Sequence, residues 1–233
     1  MKAFILAAGF GKRMGELTRE LPKPLLKTGG YPLIDYTLCN LHRWGIRDVY
    51  INLHYHGRQI AEYIKKFDMF DFTCCPEEEI LGTAGGIKTC IGDATDDELF
   101  LVVNPDLLHF PDSGFRPPGD MSGDILLYLA EKKPEDSYTT LDFSEGKVYF
   151  RTGGYYYIGL AVVRWKTLTD VIYGKYHDLA DIFRDEGKKG TLRGALFPGT
   201  CIDVGDYDRY MEFRDMDTGK YPETARWLAE FSR

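Results

Sequence analysis

The opening fourteen residues constrain the fold most. Lys2 to Ala7 is a short apolar run that gives way to small residues and glycine, Leu6-Ala7-Ala8-Gly9-Phe10-Gly11-Lys12-Arg13-Met14. Its apolar core is too short for a secretory leader and reads as a buried strand. The same alternation continues. Leu33, Ile34, Leu38, Leu41 and Trp44 have helical spacing, and Gly45 follows as a stop. Asp48 to Leu53 is β-branched and aromatic, a strand. Arg58 to Phe67 is helical, Asp71 to Cys75 a short strand, Gly86 to Ile91 a helix start, and Leu99 to Val103 a continuous apolar strand. Uninterrupted strands between helices predict an α/β fold with a Rossmann-like mixed, mostly parallel sheet flanked by helices.

The second half is mixed. Asp124 to Ala130, Tyr155 to Arg164 and Thr191 to Phe197 read as strands, and Ile202 to Gly205 ends another. Lys166 to Tyr173, Leu179 to Glu186 and Asp206 to Arg214 read as helices, the last with Asp206 as N-cap. His109 to Gly123, rich in Pro, Gly and Asp, predicts an exposed loop.

Charge narrows the partners. Thirty-six acids against 29 bases give a net charge of −7. No basic patch is visible, so nucleic acid and anionic membrane surfaces are disfavoured. No apolar run approaches the ~20 residues needed to span a bilayer. The five cysteines, Cys39, Cys74, Cys75, Cys90 and Cys201, include no CxxC. With no export signal, reduced thiols in a cytoplasmic protein are expected.

The glycine loop suits phosphate. Gly9 and Gly11 let the backbone come close and expose N–H groups, and Lys12 and Arg13 add positive charge. A P-loop is excluded, because GxxxxGK[ST] does not occur. A dinucleotide fingerprint fails because Met14 stands where the third glycine belongs, and the second strand ends in Asn52-Leu53-His54 rather than an acid. A nucleoside triphosphate loop and a plain charged turn both remain open on this segment alone. In Leu21-Pro22-Lys23-Pro24-Leu25-Leu26, two prolines stiffen the backbone around Lys23 and help to aim it.

These segments together, with Leu17-Thr18 and Gly30-x-Pro32-Leu33-Ile34, resemble the opening of the sugar-1-phosphate nucleotidyltransferases. The resemblance extends along nearly the whole chain. It implies one nucleotidyltransferase domain over residues 1–233, with a nucleotide-binding half at 1–108 and a sugar-binding half with C-terminal helices at 109–233. Gly15-Glu16 replaces the proline common before Leu-Thr, which would alter the loop path.

Two aspartates gain meaning from it. Asp106 in Val102-Val103-Asn104-Pro105-Asp106 follows an apolar strand, at the sheet edge where α/β proteins bind ligands. Asp203, 97 residues later, ends a late strand before a helix. Spacing does not show that they meet. The resemblance implies that both bind a catalytic Mg²⁺, a hard cation suited to carboxylate and triphosphate oxygens. Pro105 stands where glycine is usual and removes one N–H.

The resemblance also assigns nucleotide contacts to Ala8, Gly9, Gly11, Lys12, Arg13, Lys23, Pro76, Gly82, Thr83, Gly85 and Asn104. Catalysis falls to Arg13, Lys23, Asp106 and Asp203, with Arg13 on the leaving pyrophosphate and Lys23 bridging the two reacting phosphates. The sugar side falls to Asn104, Asp142, Tyr157 and Gly159. His54-x-His56 has zinc-like spacing but lacks neighbouring ligands, so a structural role is expected. The implied partners are a nucleoside triphosphate and a sugar 1-phosphate, in a monomer or small homo-oligomer.

Thirty residues follow Asp203, too few for the C-terminal β-helix or acetyltransferase domain of some relatives. The chain looks most like compact N-acetylmuramate-1-phosphate uridylyltransferases of cell-wall recycling. Guanylyl transfer to mannose or heptose 1-phosphate, cytidylyl transfer to phosphocholine, and a non-catalytic nucleotide-sugar sensor remain alternatives.

Overall fold

The computed structural model describes residues 1–133 and 138–232. In chain order the first half runs β1 (Lys2–Ile5), β2 (Lys27–Thr28), β3 (Tyr31–Pro32), α1 (Leu33–Arg43), β4 (Asp48–Leu53), α2 (Gly57–Ile64), β5 (Asp71–Pro76), α3 (Gly82–Ile91), β6 (Leu99–Val103) and β7 (Leu107–Pro111). The second half runs β8 (Ile125–Glu131), β9 (Asp142–Ser144), β10 (Lys147–Tyr149), β11 (Tyr155–Arg164), α4 (Leu179–Lys189), β12 (Arg193–Leu196), β13 (Gly199–Asp203), α5 (Tyr207–Phe213) and α6 (Pro222–Phe231).

A central sheet has the order β5-β4-β1-β6-β11-β8-β12-β10-β9 among the described residues. Four neighbouring strands, β5 to β6, are mutually parallel. β11 runs against β6 and β8, and β10 against β12 and β9; the other strands share one direction. The sheet is therefore mixed and mostly parallel, with helices on its faces.

Alternation along the strands splits the core in two. Ala3, Ile5, Leu101 and Val103 face one side with α1, and Phe4, Phe100 and Val102 face the other with α3 and α4. All are at most 2% exposed, which is why the central strands read as unbroken apolar runs.

Several expectations change. α3 begins at Gly82, four residues before the predicted start. Lys166 to Tyr173 is not a helix; a single 3-10 turn covers Trp165–Leu168. Its apolar residues match helical spacing because Leu168 and Val171 plug the core from a turn. His109 to Pro111 is not loop but the end of β7, with His109 and Phe110 buried; the Pro/Gly/Asp signal begins only at Pro111. The thiols are not all reduced. The ends of β5 and α3 bring Cys75 and Cys90 together at a Cα separation of 5.4 Å, and they form a disulfide. Cys39, Cys74 and Cys201 are free. Among the described residues, no helix is long and apolar enough to cross a membrane.

Candidate active site

The cleft is built from the ends of β1, β4 and β6. Beyond β1 the chain is anchored twice: the Leu6 N–H donates to the Val103 carbonyl at 3.0 Å, and the Ala7 N–H donates to Asn52 Oδ1 at 2.8 Å. Asn52 in turn donates to the buried Glu77 carboxylate at 2.8 Å. Glu77 accepts from the Leu81 N–H as well, at 2.9 Å. One Asn–Glu pair thus fixes both the glycine loop and the loop before α3.

The glycine loop turns at Gly11, which has φ 65°. A Cβ there would fall 2.8 Å from Thr18 Cγ2, so only glycine fits. The path kinks again at Gly15 (φ 57°, ψ −131°), where the sequence departs from the usual proline.

Lys23 follows the extended Pro22 and sits in a 3-10 turn. Its Nζ donates to Asp106 Oδ2 at 2.5 Å and to the Gly205 carbonyl at 2.6 Å, and its side chain is 11% exposed. Asp106 and Asp203 meet through a two-stranded ribbon. β7 and β13 pair antiparallel with Leu107 opposite Asp203, and the Val204 N–H donates to the Asp106 carbonyl at 3.0 Å. A Cβ built on Gly205 would stand 2.6 Å from Asp203 Oδ1 and 3.5 Å from both Asp106 Oδ2 and Arg13 Nη2. Two carboxylates, a lysine and an arginine therefore surround one point.

Burial raises the Asp203 carboxyl, and the nearby Asp106 charge adds to that, against hydrogen bonds from Tyr138 and the Gly205 N–H and the charge of Lys23. Two hard carboxylate oxygen donors converge beside Gly205, with Lys23 bonded to one of them. That fits a divalent cation. Among the described residues no third His, Cys, Asp or Glu joins them, so phosphate oxygens and water would complete its shell.

The cleft has a volume of about 490 Å³. Ala8, Gly9, Gly11, Lys12, Arg13, Lys23, Gly82, Thr83, Asn104 and Asp106 line it, with Pro105 and Gly205. Asp203 lies just beneath, bound to the Gly205 N–H at 2.6 Å. Pro76 ends β5, paired with Leu53 and exposed, outside the lining. Gly85 is also outside it. A Cβ at Gly85 would fall 2.1 Å from the Lys175 carbonyl oxygen, so this glycine admits a strap of second-half backbone. The Ala84 and Gly85 N–H groups both donate to the His177 carbonyl.

A second cavity of about 440 Å³ adjoins the first and shares Leu6, Thr83, Asn104 and Asp178 with it. Tyr157 lines it. Gly159 (φ 68°) does not; its carbonyl accepts from the Asn104 N–H at 2.9 Å and so aims that residue. Asp142 faces Arg151, which donates to it from Nε at 2.8 Å, and lines neither cavity. His54 and His56 bond to separate backbone carbonyls, those of Glu77 and Arg19.

Sequence reasoning missed Asn52, Glu77 and Asp178 as site-builders. Asn52 carried a signal, its place at a strand's C-terminal end. Asp178 precedes a helix, which marks a cap; its contacts to the Thr83 N–H (3.3 Å) and hydroxyl (3.4 Å) depend on the strap crossing α3.

A glycine loop, a flanked lysine and paired carboxylates at the carboxyl edge of such a sheet define a protein that handles nucleoside phosphates. The comparisons narrow the class. The family profile described as Nucleotidyl transferase matches residues 2–114. The chain is 32% identical over 223 residues to N-acetylmuramate alpha-1-phosphate uridylyltransferase of Neisseria meningitidis serogroup B, covering 91% of this chain and 96% of that one. It is 26% identical to D-glycero-alpha-D-manno-heptose 1-phosphate guanylyltransferase of Aneurinibacillus thermoaerophilus, over 90% and 95%. The solved inositol-1-phosphate CTP transferase from T. maritima superposes with a TM-score of 0.76 over 97% and 96% of the two chains; its 17% identity speaks for the fold alone. This chain belongs to the sugar-1-phosphate nucleotidyltransferase family.

Proposed function

We propose that the protein transfers a uridylyl group from UTP to N-acetylmuramate 1-phosphate, with Mg²⁺ as the cation. The carrying observation is the cluster around Gly205, where Lys23 is held between Asp106 and a carbonyl beside Arg13 and Asp203. The relative at 32% identity acts on that acceptor by name, which supports the choice.

An oxygen of the sugar phosphate attacks the α-phosphorus in line. A new P–O bond forms as the bond to the β-phosphate oxygen breaks, and pyrophosphate leaves with that electron pair. The phosphate nucleophile is already ionised near neutral pH, so no general base is required. Positioning and charge stabilisation are the protein's contribution. Arg13, with Lys12 and the Gly9 to Gly11 amides, holds the leaving pyrophosphate. Lys23 bridges the α-phosphate and the incoming phosphate. Asp106 and Asp203 would hold the cation, which supplies neutralisation of charge on the α-phosphate oxygens. Residues 1–108 furnish most of the nucleotide side, and the acceptor enters from residues 109–233.

Pyrophosphate release tests this with UTP, GTP, CTP and dTTP against N-acetylmuramate, mannose, heptose and glucose 1-phosphates and phosphocholine. Asp106→Asn is the blank and EDTA the metal control. A dominant signal for UTP with N-acetylmuramate 1-phosphate is expected. A dominant GTP signal with a neutral sugar would replace the substrate pair. Silence with nucleotide still bound would make the protein a non-catalytic sensor.

A further inference from the structure

We propose that Arg184 recognises a carboxylate on the acceptor, so that the second cavity is built for an acidic sugar 1-phosphate. The inference rests on the nucleotidyl-transfer reading and specifies what that site selects. The cavity opens from the cleft at Asn104 and Thr83, so a phosphate near Lys23 leaves the rest of the acceptor inside it. Its walls are largely apolar and aromatic, with Leu127, Leu141, Phe150, Tyr156 and Phe183 among them. Such walls stack on a ring or an alkyl substituent, and the Asn104 amide with the Thr139 and Tyr157 hydroxyls gives polar partners for sugar hydroxyls.

The acidic side chain lining it is already committed. Asp178 accepts from the Thr83 N–H and hydroxyl through Oδ1 and from the Tyr176 hydroxyl through Oδ2 at 2.6 Å. Asp178 also begins the turn where the Leu179 N–H donates to Thr83 Oγ1 at 2.7 Å. It is therefore a structural clamp between α3 and α4, not a spare acceptor for sugar hydroxyls.

Among the described residues lining this cavity, Arg184 is the sole cation. It stands on α4 one turn beyond Ala180, beside Phe183, with its guanidinium 5.9 Å from the Phe150 ring centre. Asp181 accepts from its Nη1 at 2.6 Å, but that pair is solvent-exposed and three residues apart, an arrangement worth only tenths of a kcal/mol. A guanidinium has five N–H groups, enough to hold Asp181 and still present a fork to a second carboxylate. The other basic residues nearby, Arg151, Lys188 and Lys189, pair with Asp142, Asp185 and Glu186 and do not line this cavity. An acceptor whose far end is anionic, and whose linking atoms are apolar, complements a cavity with aromatic walls and one arginine.

The test uses two acceptors that differ only in an acidic ether substituent, N-acetylmuramate 1-phosphate and N-acetylglucosamine 1-phosphate. Wild-type protein should prefer the acid in kcat/KM. Arg184→Gln should lower the acid-over-neutral ratio by about tenfold or more through KM, and Arg184→Lys should restore part of it. A ratio unchanged in Arg184→Gln, both acceptors falling together, or a wild-type preference for the neutral sugar would overturn the proposal. If neither sugar is turned over, calorimetric titration of both into wild-type and Arg184→Gln protein decides the matter. Acid-selective binding lost in the variant upholds the carboxylate site while the reaction fails. Equal binding of both sugars to wild-type protein removes the site.

Discussion

Gly205 stands where the carboxylates, the lysine and the arginine come together, and a single methyl group there reads out their geometry. Because its Cβ would lie 2.6 Å from Asp203 Oδ1, Gly205→Ala must push that carboxylate aside. Turnover should fall about a hundredfold, the usual cost of a small misplacement, while circular dichroism stays native. A rate within a few-fold of wild type would remove Asp203 from the reaction centre. Asp203→Asn separates function from stability. Burial and Asp106 raise the Asp203 carboxyl above its ordinary 3.8, so its ionised form is disfavoured in the fold relative to the unfolded chain. Above the raised value that penalty is fully present, and it fades as pH falls towards 3.8 and both states become protonated. The metal-free variant should therefore melt higher than wild type at pH 7.5, with the gap closing in acid, although it does not turn over. A lower melting temperature at pH 7.5 would contradict this account of the charge. Asp106 and Lys23 were legible as residues because each sits in a distinctive local pattern. Their contact was not, since 83 residues separate them and no spacing rule spans that distance.

The β7–β13 ribbon is the element that brings the two aspartates together, and a buried histidine makes it acid-sensitive. His109 lies on β7, its Nε2 2.7 Å from the Ile158 carbonyl and its ring edge-on to Phe197. Burial pushes it from 6.5 down to about 4, with the Ile158 bond and Asp106 opposing. A lowered histidine contributes stability that is complete above about 6.5 and is lost as pH falls towards 4. At pH 5 the loss should be about 2 kcal/mol, seen as a drop in melting temperature that His109→Gln lacks. At α3, Gly85→Ala would drive a methyl against the Lys175 carbonyl. Urea denaturation should show about 1–3 kcal/mol of destabilisation; an unperturbed midpoint would mean the strap yields freely. The elements with strong patterns were readable, α1 and β6 within about a residue. β7 was not, because it pairs with the later β13 and Phe110 stacks on Tyr221 just before α6, and nothing local announces that. The missing helix at 166–173 has the same cause, a helical spacing satisfied by a turn against the core.

At the scale of the whole molecule the cleft is a seam between segments far apart in the chain. Tyr176, Asp178 and Gly205 complete a cavity otherwise lined by the first 106 residues. Ligands should therefore stabilise the protein globally. UTP with Mg²⁺ at a hundredfold excess over its dissociation constant adds about 2.7 kcal/mol, and Asp106→Asn should cancel the cation's share of the thermal shift. If the shift is equal with and without the cation, the two carboxylates do not bind it. The ribbon also imposes an order in time. β7 ends at Pro111 and its partner begins at Gly199. At ~5–20 residues per second of synthesis, several seconds pass between the two strands leaving the ribosome. Throughout that interval a growing chain already carries the glycine loop, Lys23 and Asp106, yet has no second carboxylate. Competence to react is thus a late event of translation, and a chain stalled before residue 199 holds only one of the two carboxylates proposed to hold the cation.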